Sequence, residues 1–161
     1  MKITLTQDAD IIARLNQPVQ ELHHTLSPEN FNPYCFDDIK DFFNRIIQKP
    51  EHLFLLIEEE KPFGYAWIEI KKSPKNPFKK AYTSIYVHQI GVLDSYRNKG
   101  CGSMLLEKID QIAVEHGASE VKLDYWTQNG EAKKFYKNKG FKVYRESVHK
   151  LITTSETAKN K

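Results

Sequence analysis

The sequence predicts an α/β domain built on a mixed sheet, and three observations carry that reading. A chain of 161 residues, 40% hydrophobic, suffices for one hydrophobic core. Apolar spacing is helical from residue 8 to residue 47 and extended from residue 52. Beyond residue 100, helical and extended patterns alternate, as expected of an α/β domain with a mixed sheet.

Ile3 to Thr6 reads as a first strand, after which Asp8 can cap a helix carrying Ile11, Ile12 and Leu15. Pro18 is expected to restart this helix, with a second stretch through Val19 and Leu22 ending in the loop SPENFNPYC. Asp37 or Asp38 caps the next helix, whose stripe Ile39, Phe42, Phe43, Ile46 and Ile47 stops before Pro50. HLFLLIE, FGYAWIEIK and AYTSIYVHQIGVL then form an antiparallel meander. A helix over 102–116 turns Met104, Leu105, Ile109, Ile112 and Ala113 inward, and EVKLDYW is the next strand. A helix near 129–138, a last strand GFKVYRESVHKLI and a polar tail from 153 complete the order.

With 12% aromatic and 28% charged residues, the chain is not a disordered tail, a collagen or a low-complexity linker. No apolar run approaches the ~18 residues of a membrane span, and the opening MKITLTQDADIIARL turns acidic where a signal peptide would be apolar. The expectation is a soluble cytoplasmic protein with no membrane partner. Cys35 and Cys101 lack CxxC spacing and no HExxH occurs, so neither a disulfide framework nor a metal site is expected. Net charge is +3, and Lys71, Lys72, Lys75, Lys79 and Lys80 crowd one segment, KKSPKNPFKK. That segment is either a solvated hairpin loop or a contact for an anionic partner. Without an RNP-type aromatic motif, no nucleic-acid partner is expected.

The most informative stretch runs from Ile90 to Ser103, where a strand ends and two glycines open a helix. The first N–H groups of a helix have no internal partners and suit an anion, and Arg97 and Lys99 add positive charge. The P-loop pattern is absent. A dinucleotide fingerprint matches Gly100 and Gly102 but meets Leu105 at its third position, although Asp124 stands near the ribose-binding distance. Six residues, Asp94 to Lys99, also separate strand from first glycine, and little chain remains for a substrate domain. The pattern R/Q-x-x-G-x-G/A is met by Arg97, Gly100 and Gly102. Downstream, N-x-x-A-x-x-F-Y followed by G-F is met by Asn129, Ala132, Phe135, Tyr136, Gly140 and Phe141.

With these two blocks the chain resembles the GNAT N-acetyltransferase superfamily. The resemblance implies a single-domain GNAT fold over 1–152, with a mostly antiparallel mixed sheet splayed between its central strands and helices on both faces. It implies acetyl-CoA as co-substrate and a primary amine, in a small molecule or a protein, as acceptor. Arg97, Asn98, Lys99, Gly100, Cys101, Gly102 and Ser103 would wrap the pyrophosphate, chiefly through backbone N–H groups. The strand edge of Ile90, Gly91 and Val92 would pair with the pantetheine arm, with Gly91 marking a bulge that opens the cleft. Asn129 would contact the cofactor arm, or cap the following helix. Tyr136, at the cofactor, would protonate the leaving thiolate; a packing role with its hydroxyl at the rim is the alternative.

By period-two alternation, Tyr86, His88 and Ile90 share one strand face. His88 matches a strand histidine implicated as base in the arylalkylamine N-acetyltransferases, where a second histidine stands at the place of Tyr86. Glu69 and ordered water are its rivals, and a hydrogen-bonded core histidine is the plain alternative. A backbone N–H such as that of Val92 would meet the charge developing on the thioester oxygen. The acceptor site would lie between the first helices, their loop and the strand of Tyr65 and Trp67. There His23, His24, Tyr34 and Phe36 either recognise a cationic or aromatic amine or pack the loop. The resemblance leaves a homodimer open. A GNAT-fold acyl-CoA sensor or interaction module with little turnover is the alternative function.

Overall fold

The structure, a computed structural model, describes residues 1–153, so the expected polar tail lies from 154 onward outside the described residues. The chain divides into two compact units, Met1–Asn129 and a second from Gly130.

In the first unit, β1 (Lys2–Leu5) leads into α1 (Ala9–Leu26). The carboxylate of Asp8 caps α1, accepting from the N–H groups of Asp10 at 3.0 Å and Ile11 at 3.2 Å. The helix does not restart at Pro18 but runs through it. Proline forfeits one backbone bond, yet Ile12, Leu15 and Asn16 are buried on one side of it and Val19 packs against the same core on the other. Continuous packing therefore outweighs the break. The next helix, α2 (Phe36–Ile46), has Cys35 at its N-cap with no side-chain cap bond. Asp37 and Asp38 sit instead in its first turn, where a carboxylate favours the positive end of the helix dipole.

Among the described residues five strands form one sheet in the order β1-β2-β3-β4-β5, with β2 His52–Glu58, β3 Pro62–Ser73, β4 Tyr82–Val92 and β5 Glu120–Lys122. The first four strands pair antiparallel; β4 and β5 are parallel, joined across α3 (Cys101–Glu115). Alternation along the strands divides the core. Phe54, Leu56, Tyr65 and Trp67 pack with Ile12, Leu15 and Phe43 of α1 and α2. Leu55, Ile57, Ala66, Ile68, Ile85 and Val87 are buried on the opposite face, where α3 packs on β2, β3 and β4. On α3 the buried residues include Leu106, whereas Met104, expected inward, is half-buried.

β4 carries a bulge where it pairs with β3. Trp67 pairs with Gln89 while Ile68 pairs with Val87, so His88 is an extra residue in β4. The bulge is thus at His88 and not at Gly91. It also moves Ile90 out of the expected set: Tyr86 and His88 stay on the α1 face, but Ile90 pairs with Ala66 on the other. The β4–β5 ladder ends at Tyr86 and Lys122, while β4 continues to Val92. The strand expected over 120–126 is described only over Glu120–Lys122.

Gly91 has a different reason. A Cβ there would lie 2.8 Å from both Tyr65 Cε1 and Val19 Cγ2. Tyr65 is fully buried and cannot yield.

The second unit contains α4 (Gly130–Asn138). It closes with Gly140 at φ 85°, where a side chain would be strained, and with the Phe141 N–H donating to Tyr136 C=O at 3.0 Å. The last strand expected over 140–152 is not assigned as a strand. Among the described residues no helix is long and apolar enough to cross a membrane.

Gly91→Ala is expected to lower unfolding stability by about 1–3 kcal/mol through overpacking against Tyr65 and Val19. Urea unfolding followed by circular dichroism should show an earlier midpoint at unchanged slope.

Candidate active site

Beyond β4 the chain makes one 3-10 turn, Asp94–Tyr96, anchored by the Tyr96 ring stacked on Phe63 at 3.9 Å. Arg97 Nε donates to Val92 C=O at 3.3 Å and pairs with Asp94 at 3.1 Å. Asn98 at φ 60° and Gly100 at φ 81° then reverse the chain into α3. Gly100 is the N-cap, no side chain caps the helix, and no acidic residue occupies its first turn. The first helical bond is from Met104 N–H to Gly100 C=O at 3.0 Å, so the N–H groups of Cys101, Gly102 and Ser103 lack intrahelical acceptors. Dipole and donors together suit an anion. The Cys101 side chain is buried, its thiol donating to Tyr96 C=O at 3.4 Å, so this residue can offer only its backbone. Lys99 lies 5.2 Å over the Tyr96 ring.

The direction of the β4 backbone follows from one bond. Leu93 N–H donates to Phe63 C=O at 2.9 Å, and alternate residues of an antiparallel strand turn their groups to opposite sides. Gly91 therefore faces β3, while the N–H groups of Ile90 and Val92 point away from it, on the side where the β5 ladder has ended.

The bulge gathers a titratable cluster on the α1 face. His88 stacks on Trp67 at 4.2 Å and its Nε2 lies 2.7 Å from Glu69 Oε2. Lys71 Nζ is 3.7 Å from the same oxygen and 4.4 Å over the Tyr86 ring, and the Tyr86 hydroxyl donates to Asp124. Burial pushes the His88 pKa below its ordinary value; Glu69 opposes this, while His52 and Lys71 reinforce it. For Glu69, burial acts upward but is outweighed by the His88 hydrogen bond and the nearby cations, and its pKa is lowered. The pair near neutral pH is thus a neutral imidazole and a carboxylate. A carboxylate only accepts, so Nε2 carries the hydrogen and Nδ1 keeps a free lone pair.

His52 was not singled out by the sequence. Its Nδ1 accepts from the Trp67 indole N–H at 3.0 Å, which places its own hydrogen on Nε2. Donor atoms of His52, Glu69 and His88 fall within 4.8 Å of one another. A metal on His52 Nε2 would force a hydrogen onto Nδ1, against the indole donor, so the arrangement suits a hydrogen-bonded cluster better than a metal.

A cavity of about 280 Å³ lies between α1, α2 and the sheet, lined in part by Asn16, Gln20, Asp38, Phe42, Trp67 and Gln89. It occupies the expected acceptor region, but the expected side chains do other work. His23 stacks on Phe31, and His24 bonds Phe31 C=O at 2.7 Å. The Tyr34 hydroxyl donates to Ala13 C=O at 2.8 Å, and Phe36 lies under Arg14 at 4.6 Å. Burial lowers the His23 pKa and raises that of Tyr34. These four pack the loop.

Asn129 ends the first unit, its N–H donating to Trp126 C=O at 2.8 Å, and directly precedes α4. Within the second unit the Tyr136 ring meets Phe135 at 5.1 Å and Phe141 at 5.5 Å, and burial pushes its phenol up to about 12.

A strand that continues past its ladder and runs into an uncapped helix N-terminus is a frame suited to an anionic ligand. The acetyltransferase (GNAT) family model matches residues 17–141, and the chain belongs to that family and is an acetyltransferase. It is similar to the uncharacterised N-acetyltransferase YycN of Bacillus subtilis, 28% identical over 119 residues that span 73% of this chain and 72% of that one. The fold is shared with the tetramutant of the BH1408 protein of Bacillus halodurans (TM-score 0.86, 23% identity, 94% and 100% of the two chains). It is also shared with AAC(6')-Iy, solved in complex with a bisubstrate analogue, CoA-S-monomethyl-acetylneamine (TM-score 0.68, 16% identity, 95% and 98%).

In an NMR titration His88 should gain its proton below the ordinary imidazole value of about 6.5. In Glu69→Gln, which removes the influence that raises it, the midpoint should fall further.

Proposed function

We propose that the chain, as one domain over 1–152, transfers an acetyl group from acetyl-CoA to a primary amine by direct attack in a ternary complex. The observation that carries the reading is the uncapped, acid-free N-terminus of α3, entered from the open end of β4. Its donor set fits a diphosphate: the backbone N–H groups of Cys101, Gly102 and Ser103, with Arg97, Asn98, Lys99 and Gly100 beside them. Ile90 and Val92 present outward N–H groups to an amide-bearing arm; Gly91, whose groups face β3, serves through its lack of a Cβ. Asn129 would meet the same arm.

Acetyl-CoA supplies the electrophilic thioester carbon and a thiolate leaving group. An alkylammonium with a pKa near 10.4 is neutral in roughly one molecule in 10³ to 10⁴ at pH 7, a cost of about 4–5 kcal/mol. His88 would remove that proton through Nδ1, and the Glu69 carboxylate on Nε2 would stabilise the imidazolium that forms, as a carboxylate does in a catalytic triad. An outward β4 N–H would donate to the thioester oxygen as it gains charge. Tyr136 would hydrogen-bond the departing sulfur and pass on its proton. A phenol raised to about 12 keeps that proton across the neutral range.

A thiol-release assay with acetyl-CoA and a panel of amines tests the reading; transfer to at least one amine is the expected result. Tyr136→Phe should lower kcat about 10²-fold while leaving CoA affinity unchanged, whereas transfer at the wild-type rate would remove Tyr136 as the acid.

A further inference from the structure

The acceptor cavity carries more information than its position. Asn16 is 2% exposed, and its Nδ2 donates to Tyr65 Oη at 2.9 Å and to Gln89 Oε1 at 3.0 Å. Tyr65 itself donates to Gln89 Oε1 at 2.6 Å, so the amide of Asn16 is held with its oxygen turned away from this network. That oxygen, Oδ1, has no partner, and it is the one buried side-chain polar atom so placed among the described residues. An unmet buried acceptor typically costs about 1–3 kcal/mol, which a donor brought by a ligand would recover. The rest of the lining agrees in sign. Trp67 and Phe42 present aromatic rings, Asp38 presents a carboxylate from the first turn of α2, and the lining contains no lysine, arginine or histidine. Trp67 is also the ring on which His88 stacks, and Gln89 follows His88 in β4, so the cavity adjoins the proposed base.

We propose that this cavity seats a second, non-reacting ammonium of the acceptor, so that the preferred substrate is a compact diamine or polyamine. The inference rests on the acetyl-transfer reading. The second ammonium would donate to Asn16 Oδ1, lie against Trp67 and Phe42, and face the Asp38 carboxylate. A volume of about 280 Å³, at the low end of small-molecule sites, suits a short polyamine.

The test compares thiol release from acetyl-CoA with the α,ω-diamines of propane, butane and hexane, with spermidine, with the matching monoamines and with a lysine-containing peptide. At least one diamine or spermidine should exceed its monoamine in kcat/KM by about tenfold or more. Asp38→Asn, an exposed position outside the core, should raise KM for the diamine several-fold more than for the matching monoamine and so reduce that advantage. Asn16→Ala should reduce it likewise, with folding checked by circular dichroism. Monoamines or the peptide performing as well as diamines would overturn this inference and leave the acetyl-transfer reading standing, as would Asp38→Asn affecting both classes equally. Transfer to no amine at all would overturn that reading itself, and this inference with it.

Discussion

The extra residue in β4 is the constraint on which the rest of the structure depends. With Trp67 paired to Gln89 and Ile68 to Val87, His88 has no partner across the ladder and its ring is left to stack on Trp67. That one insertion brings His88 and Gln89 to the same side of the sheet, one beside Glu69 and the other beside Asn16. It also lies just past the last β4–β5 pair, Tyr86 and Lys122, and beyond it the outer edge of β4 has no ladder partner among the described residues. The proposed base, the proposed acceptor cavity and the proposed cofactor edge all adjoin this single irregularity.

Electrostatics in the cluster are set by what surrounds one carboxylate. Glu69 faces His88, His52 and Lys71, and these cations and donors overcome the burial that would otherwise neutralise it. The same burial keeps His88 neutral, and its contact with Glu69 decides which nitrogen is free. Protonation below the His88 pKa would leave the imidazole unable to accept a proton. If His88 is the base, as proposed, activity would be lost in acid as the imidazole gains its proton.

Much of this was legible in the sequence where a residue type has a local physical meaning. Gly100 adopts the left-handed backbone that its position ahead of a helix suggests, and Asp8 caps α1 as its placement implies. The order of strands and helices through α4 follows from apolar periodicity. What escaped was non-local. A bulge leaves no mark in composition, so alternation placed Ile90 on the wrong face, and the bulge expected at Gly91 lies three residues earlier, at His88. Pro18 lies within a helix held from both sides by the core. His52 gains meaning only through its cross-strand neighbours Trp67 and Glu69. Asn16 left one trace, a polar residue in the buried stripe of Ile12 and Leu15, which is the kind of exception that marks a site.

The account rests on a diphosphate meeting the peptide nitrogens at the start of α3. Isothermal calorimetry of CoA against pantetheine, which lacks the diphosphate, addresses this most directly. The account predicts one CoA per chain with measurable heat and much weaker binding of pantetheine. Equal affinity for the two, or no heat with CoA, would contradict it.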